Sequence, residues 1–78
     1  MVTVYTRKGC HLCERAESVV AEARKKIPFE LQILDIDQLP ALKEKYNEEV
    51  PVIAIDGRAR FGYAIELDAF INVLGHRY

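Results

Sequence analysis

Hydrophobic and polar positions along the chain change period several times, and each change marks the edge of an element. Met1 to Thr6 is β-branched and aromatic, the composition of a strand. Arg7-Lys8-Gly9 breaks it, with Gly9 as the punctuation. From Cys10 to about Ile27 the pattern turns helical. Ala16, Val19, Val20, Ala23 and Ile27 recur three or four apart, and Glu14, Arg15, Glu17, Glu22, Arg24 and Lys25 lie between them. Pro28 stops this helix, because the residue before a proline is driven out of the helical region. Phe29 to Ile36 alternates and then runs apolar, a second strand.

A short helix is expected from about Gln38 to Asn47. Asp37 is its expected N-cap, Pro40 falls in its first turn, and Leu39, Leu42 and Tyr46 form its buried stripe. Val50 to Ile55 is continuously apolar, as in a strand covered on both faces. Asp56-Gly57 signals a hairpin. The next strand, Arg58 to about Phe61, alternates Arg58 and Arg60 with Ala59 and Phe61, and charge on one side of a last strand protects a sheet edge. The final helix is expected from about Ala64 to Leu74, with Leu67, Phe70, Ile71 and Leu74 inward and Gly75 as its C-terminal cap. The order is β-α-β-α-β-β-α, without repeat, linker or low-complexity segment, so residues 1–78 form one domain. A right-handed parallel crossover joins the first two strands and the Asp-Gly turn joins the last two antiparallel. The fold class is α/β, a four-stranded mixed sheet flanked by three helices.

At 78 residues the chain is near the lower limit for a self-supporting core. Its net charge is -1 with both signs interspersed, so no basic face for nucleic acid is expected. The apolar runs are too short to cross a membrane. The first residues lack the positive start and long apolar stretch of a secretory signal, which makes the cytoplasm the default location. The two cysteines, Cys10 and Cys13, are three apart. A bridge that staples a small secreted domain normally closes a longer loop. This spacing suits a bond that opens and closes, or a metal.

Cys10-His11-Leu12-Cys13 lies where a strand ends and a helix begins. Helical positions three apart share a face, so the two sulfurs can reach bonding distance. Cys10 falls at the helix N-terminus, where unpaired N–H groups and the positive dipole end favour an anion. The thiolate is the attacking species in disulfide exchange, and this location lowers a cysteine pKa. Arg7 and Lys8 add positive charge, as does His11 when protonated. Cys13, a turn deeper, is the natural resolving thiol. A carrier reading competes with this one. Cys10, Cys13, His11 and His76 make a countable zinc set, and the cysteine pair alone is a candidate ligand of an iron–sulfur cluster.

Strand, Arg7-Lys8-Gly9, Cys-x-x-Cys, helix and then Val50-Pro51 opening a strand together resemble a glutaredoxin or thioredoxin-like protein over essentially the whole chain. The short length, with the motif in the first dozen residues, points to the compact glutaredoxin branch. That resemblance implies a thioredoxin-like fold of the glutaredoxin type and thiol–disulfide oxidoreductase activity. It implies a cis Val50–Pro51 bond facing the Cys10 sulfur, and a substrate surface made of Arg7, Lys8, His11, Leu12, Val50 and Pro51. The implied partners are a disulfide-bearing protein or a low-molecular-weight thiol, handled by a monomer with no tightly bound cofactor. Two departures matter. Relatives often carry Pro and Tyr between the cysteines, where this chain has His11 and Leu12. Glutathione-binding relatives hold the glutamyl end with a Gly-Gly pair and an Asp near the last helix. Here the segment is Phe61-Gly62-Tyr63-Ala64-Ile65-Glu66. Glutathione and a thioredoxin reductase-type enzyme therefore both stand as electron donors. Elsewhere the plain readings hold: Arg58 and Arg60 are edge charges, Tyr5 packs in or beside the sheet, and Tyr63, the exposed-aromatic candidate near the active face, is read as ordinary packing.

Overall fold

Strand β1 (Val2–Thr6) is central in the sheet of the computed structural model, which describes residues 1–46, 49–62 and 65–77. It pairs parallel with β2 (Leu31–Asp35) and antiparallel with β3 (Val52–Ile55). β4 (Arg58–Gly62) closes the far edge, and the order across the sheet is β2-β1-β3-β4. Helix α1 (His11–Lys26) makes the crossover from β1 to β2. A single 3-10 turn (Ile36–Gln38) and the short helix α2 (Pro40–Tyr46) lead to β3, and α3 (Leu67–Arg77) ends the chain. This is the thioredoxin-like arrangement of a mixed sheet with three α-helices among the described residues.

Alternation along the strands sorts the core. Val2 and Val4 of β1, with Ile53 and Ile55 of β3, meet Ala16, Val20 and Ala23 of α1 and Phe70 and Leu74 of α3. Phe70 is fully buried and meets the ring edges of Phe29 and Phe61, with centroids 5.9 and 5.8 Å away. Tyr5 and Val52 point the other way. They join Cys13, Ile36, Tyr46 and Val50 in a second cluster, against which Cys10 and Leu42 also pack. Tyr5 stacks on Tyr46 at 4.8 Å between centroids. The second cluster therefore lies directly beneath the cysteines.

Local chemistry explains the boundaries. Ile27, preceding Pro28, is extended at φ -131° and ψ 115°, and α1 ends at Lys26 with Arg24, Lys25 and Lys26 complementing its negative end. Asp56 and Gly57 both have positive φ, 51° and 84°, the backbone of a tight hairpin whose twist matches the strands it joins.

Several expectations need correction. Asp37 is not the cap of α2: Asp35 caps the 3-10 turn by accepting from the Asp37 N–H, and α2 starts at Pro40 after Leu39. The turn spends three residues before the helix begins, which shifts the register and leaves Leu39 41% exposed instead of buried. Gly75 does not end α3, which runs on to Arg77. A helical glycine costs only about 1 kcal/mol relative to alanine, and the turn it sits in follows the fully buried Leu74. In β4 the expected alternation fails. Phe61 pairs with Ile53 but Ala59 pairs with Ala54, so Arg60 is an extra residue in a bulge and Ala59 is exposed. Tyr63, the expected α3 start at Ala64 and the expected α2 end at Asn47 lie outside the described residues.

Candidate active site

The site begins with a backbone requirement. Gly9 has φ 75°, which a side chain disfavours, and it turns the chain from the loop after β1 into α1. Cys10 follows as the N-cap, extended at φ -95° and ψ 107°. Its carbonyl accepts the first helical hydrogen bond from Glu14 at 3.1 Å. Its sulfur accepts from the backbone N–H of Cys13, also at 3.1 Å. The reactive atom thus takes the place that a serine or aspartate oxygen fills at an ordinary helix start.

Cys10 and Cys13 are disulfide-bonded, with Cα atoms 5.2 Å apart, inside the range such a bridge spans without backbone movement. The two cysteines differ in access. Cys10 is partly exposed, whereas Cys13 is 1% exposed and packs with Ile36, Tyr46, Val50 and Val52. The Cys10 end of the bond is the less buried one. Val50 is buried in this same cluster, Pro51 is fully buried beside it, and the Val50–Pro51 peptide bond is cis.

The remaining candidate side chains are arranged unequally. His11 projects into solvent, its side chain 94% exposed, with Nδ1 3.7 Å from Glu14 Oε2. Leu12 is 43% exposed and forms one wall of an open cleft of about 400 Å³, with Arg15, Val19, Ile65 and Glu66 among the other walls. Lys8 is exposed. Arg7 is tied down: its Nε donates to Asp37 Oδ2 at 3.0 Å, and Lys43 Nζ stands 3.9 Å from the other carboxylate oxygen. Sequence reasoning missed Asp37 as a partner in this site and missed the Tyr5–Tyr46 stack. Both unite residues 30 or more positions apart, and no local pattern marks such pairs. Among the described residues no group of three or more His, Cys, Asp or Glu side chains is placed to hold a metal ion. The His76 side chain of the candidate zinc set is outside the described atoms.

Known proteins share this arrangement. A family model described as Glutaredoxin-like domain (DUF836) matches residues 1–75. The uncharacterized protein Rv0508 of Mycobacterium tuberculosis is 31% identical over 62 residues, 73% of this chain. The chain spans 64% of that relative's length. The protein XcR50 from X. campestris superposes with a TM-score of 0.80 and 26% identity, with 97% of each chain covered. The glutaredoxin-like protein NrdH-redoxin from Escherichia coli superposes with a TM-score of 0.62 over 94% of this chain and 92% of that one. At 23% identity that last likeness concerns the fold alone.

Proposed function

Because the chain belongs to the glutaredoxin-like domain family, we propose that it is a thiol–disulfide oxidoreductase acting by dithiol exchange, with Cys10 as nucleophile and Cys13 as resolving thiol. The observation that carries this reading is the asymmetry of the pair. Cys10 is accessible and caps the start of α1, and Cys13 is buried one turn deeper with its N–H on the Cys10 sulfur.

The Cys10 sulfur faces the N–H of Cys13 and the positive end of α1, both of which favour the thiolate once the bridge is reduced. Each unit of pKa lowering represents about 1.4 kcal/mol of preference for the anion. The thiolate attacks one sulfur of a substrate disulfide. That S–S bond breaks, and the departing sulfur leaves with the electron pair and takes a proton from water. Cys13 then loses its proton and attacks the Cys10 sulfur of the mixed disulfide. The second substrate thiol is released and the Cys10–Cys13 bond closes. Two electrons have passed to the substrate, and two from a donor restore the dithiol. Burial of Cys13 keeps it from reacting with outside disulfides while leaving it beside the one sulfur it must attack. In this reading the substrate-binding set is Arg7, Lys8, His11, Leu12, Val50 and Pro51, of which Val50 and Pro51 have buried side chains and contribute through their backbone. Substrates are disulfide-bearing proteins or mixed disulfides with small thiols. The electron donor is glutathione or a reductase, and the protein works as a cytoplasmic monomer without a resident cofactor.

Trapping tests the reading. A Cys13→Ser variant stalls at the mixed disulfide and should accumulate Cys10 linked to its substrate, released by a small reductant. The same variant carrying Cys10→Ala should trap nothing. Equal trapping with and without Cys10, or none in either, contradicts the proposal.

A further inference from the structure

Arg7, three residues before Cys10, is a permanent cation held by a defined partner, Asp37. Its partner sits on a segment that is anchored to the same site from the other side. Ile36 is fully buried and packs in the cluster that holds Cys13, and Asp37 is the next residue along. Asp37 is itself fixed, because its N–H donates to Asp35 Oδ1 at 2.9 Å and its carboxylate meets both Arg7 and Lys43. The chain from Cys10 back to Arg7, across to Asp37, and through Ile36 to Cys13 is a closed circuit. The Asp37 carboxylate therefore carries one negative charge between the Arg7 guanidinium and the Lys43 ammonium.

We propose that Asp37 is a specificity-determining residue of the redox site: by holding Arg7 it withholds positive charge from an incoming anionic thiol and turns the site away from carboxylate-bearing small thiols. This rests on the redox reading above and names the class of partner that reading leaves open. A thiol carrying carboxylates gains from a cation presented to it, and a guanidinium engaged by a carboxylate presents little. The reductant suited to such a site is a thiol without net negative charge around its sulfur.

The step that reads this out is reduction of the Cys10–Cys13 bond by a small thiol. The thiolate attacks the Cys10 sulfur, the S–S bond breaks, and Cys13 leaves with the electron pair and is protonated. A second thiolate attacks the small-thiol sulfur of the mixed disulfide and expels Cys10 as thiolate. Two thiols are oxidised to one disulfide, and the protein disulfide is reduced to two thiols. Three residues of chain keep the Cα atoms of Arg7 and Cys10 within about 11 Å of one another. One unit charge about 10 Å from another in water changes such an encounter about twofold.

The experiment uses the oxidised full chain and three thiols that differ in their remote group: 3-mercaptopropionate (carboxylate), 2-mercaptoethanol (hydroxyl) and cysteamine (ammonium). Reduction rates are measured at about 10 mM ionic strength, where screening extends over about 30 Å. The ratio of the mercaptopropionate rate to the cysteamine rate is compared between variants, so each thiol's own acidity cancels. Asp37→Asn should raise the ratio about fourfold, and Arg7→Gln should lower it by a similar factor. The double variant, with both charges gone, should return within about twofold of the starting protein. The Arg7→Gln arm keeps the test decisive if Asp37→Asn does not fold. A ratio unmoved in the single variants, or a double variant that stays as far from the starting ratio as Asp37→Asn, overturns the proposal. Failure of the unmodified protein to react with 2-mercaptoethanol overturns the redox reading, and this inference with it.

Discussion

The backbone N–H of Cys13 donates to the Cys10 sulfur across 3.1 Å, so the atom proposed to react is also the atom that caps the first turn of α1. Capping and chemistry can be separated by substitution. Serine is among the preferred N-cap residues, and loss of a cap to alanine costs about 1 kcal/mol. Relative to the reduced protein, Cys10→Ser should keep stability close to unchanged, and Cys10→Ala should lose about 1 kcal/mol. Both should abolish disulfide exchange. Urea unfolding and a turnover assay on the same samples read the two effects, and equal stability of the two variants contradicts the capping role.

Gly9 supplies the turn that presents this cap. A Cβ built there meets nothing within 4 Å, so any cost of a side chain is conformational and owes nothing to crowding. At φ 75° that cost is about 1–2 kcal/mol for alanine. Gly9→Ala should lower the denaturant midpoint with an unchanged m-value, because the surface exposed on unfolding stays the same.

Phe70 carries the first cluster. It is fully buried against Phe29 and Phe61, and truncation of such a side chain to alanine costs about 3–5 kcal/mol. A chain this short has a total stability on the order of 4–12 kcal/mol. Phe70→Ala should therefore remove a large share of it, seen by circular dichroism as a strongly lowered melting temperature. A shift of only a few degrees contradicts the assignment of Phe70 to the centre of the core.

Tyr5 and Tyr46 belong to the second cluster, and their rings stack at 4.8 Å with 30° between planes. A double-mutant cycle to leucine at both positions should return a coupling of about 0.5–1.5 kcal/mol. A coupling near zero means the two rings contribute independently, and the support beneath the cysteines then comes from Ile36, Val50 and Val52.

Much of this architecture is legible in the chain. The β-branched start, the helical spacing from Ala16 to Ile27, the apolar run from Val50 to Ile55 and the Asp56-Gly57 turn each obey a local rule, and the structure follows them. The placement of the cysteine pair is legible too, because it depends on a junction between two such elements. What escapes is set by competition or distance. The 3-10 turn wins over an immediate helix at Ile36 because the Asp35 side chain satisfies the Asp37 N–H there. α3 passes through Gly75 because the helix around the buried Leu74 outweighs one unfavourable residue. The bulge at Arg60 depends on pairing with β3, which Arg60 itself does not announce. The Arg7–Asp37 contact joins positions 30 apart in the chain and needs the β1–β2 pairing to bring them together.

The central claim is that Cys10 is held as a thiolate at the start of α1 while Cys13 is shielded, and alkylation of the reduced protein across pH tests it most directly. Iodoacetamide labelling read by peptide mass spectrometry should show Cys10 modified much faster than Cys13 near neutral pH, with a Cys10 midpoint below the ordinary thiol value of about 8.5. Equal rates at the two cysteines, or a Cys10 midpoint at or above that ordinary value, contradict it.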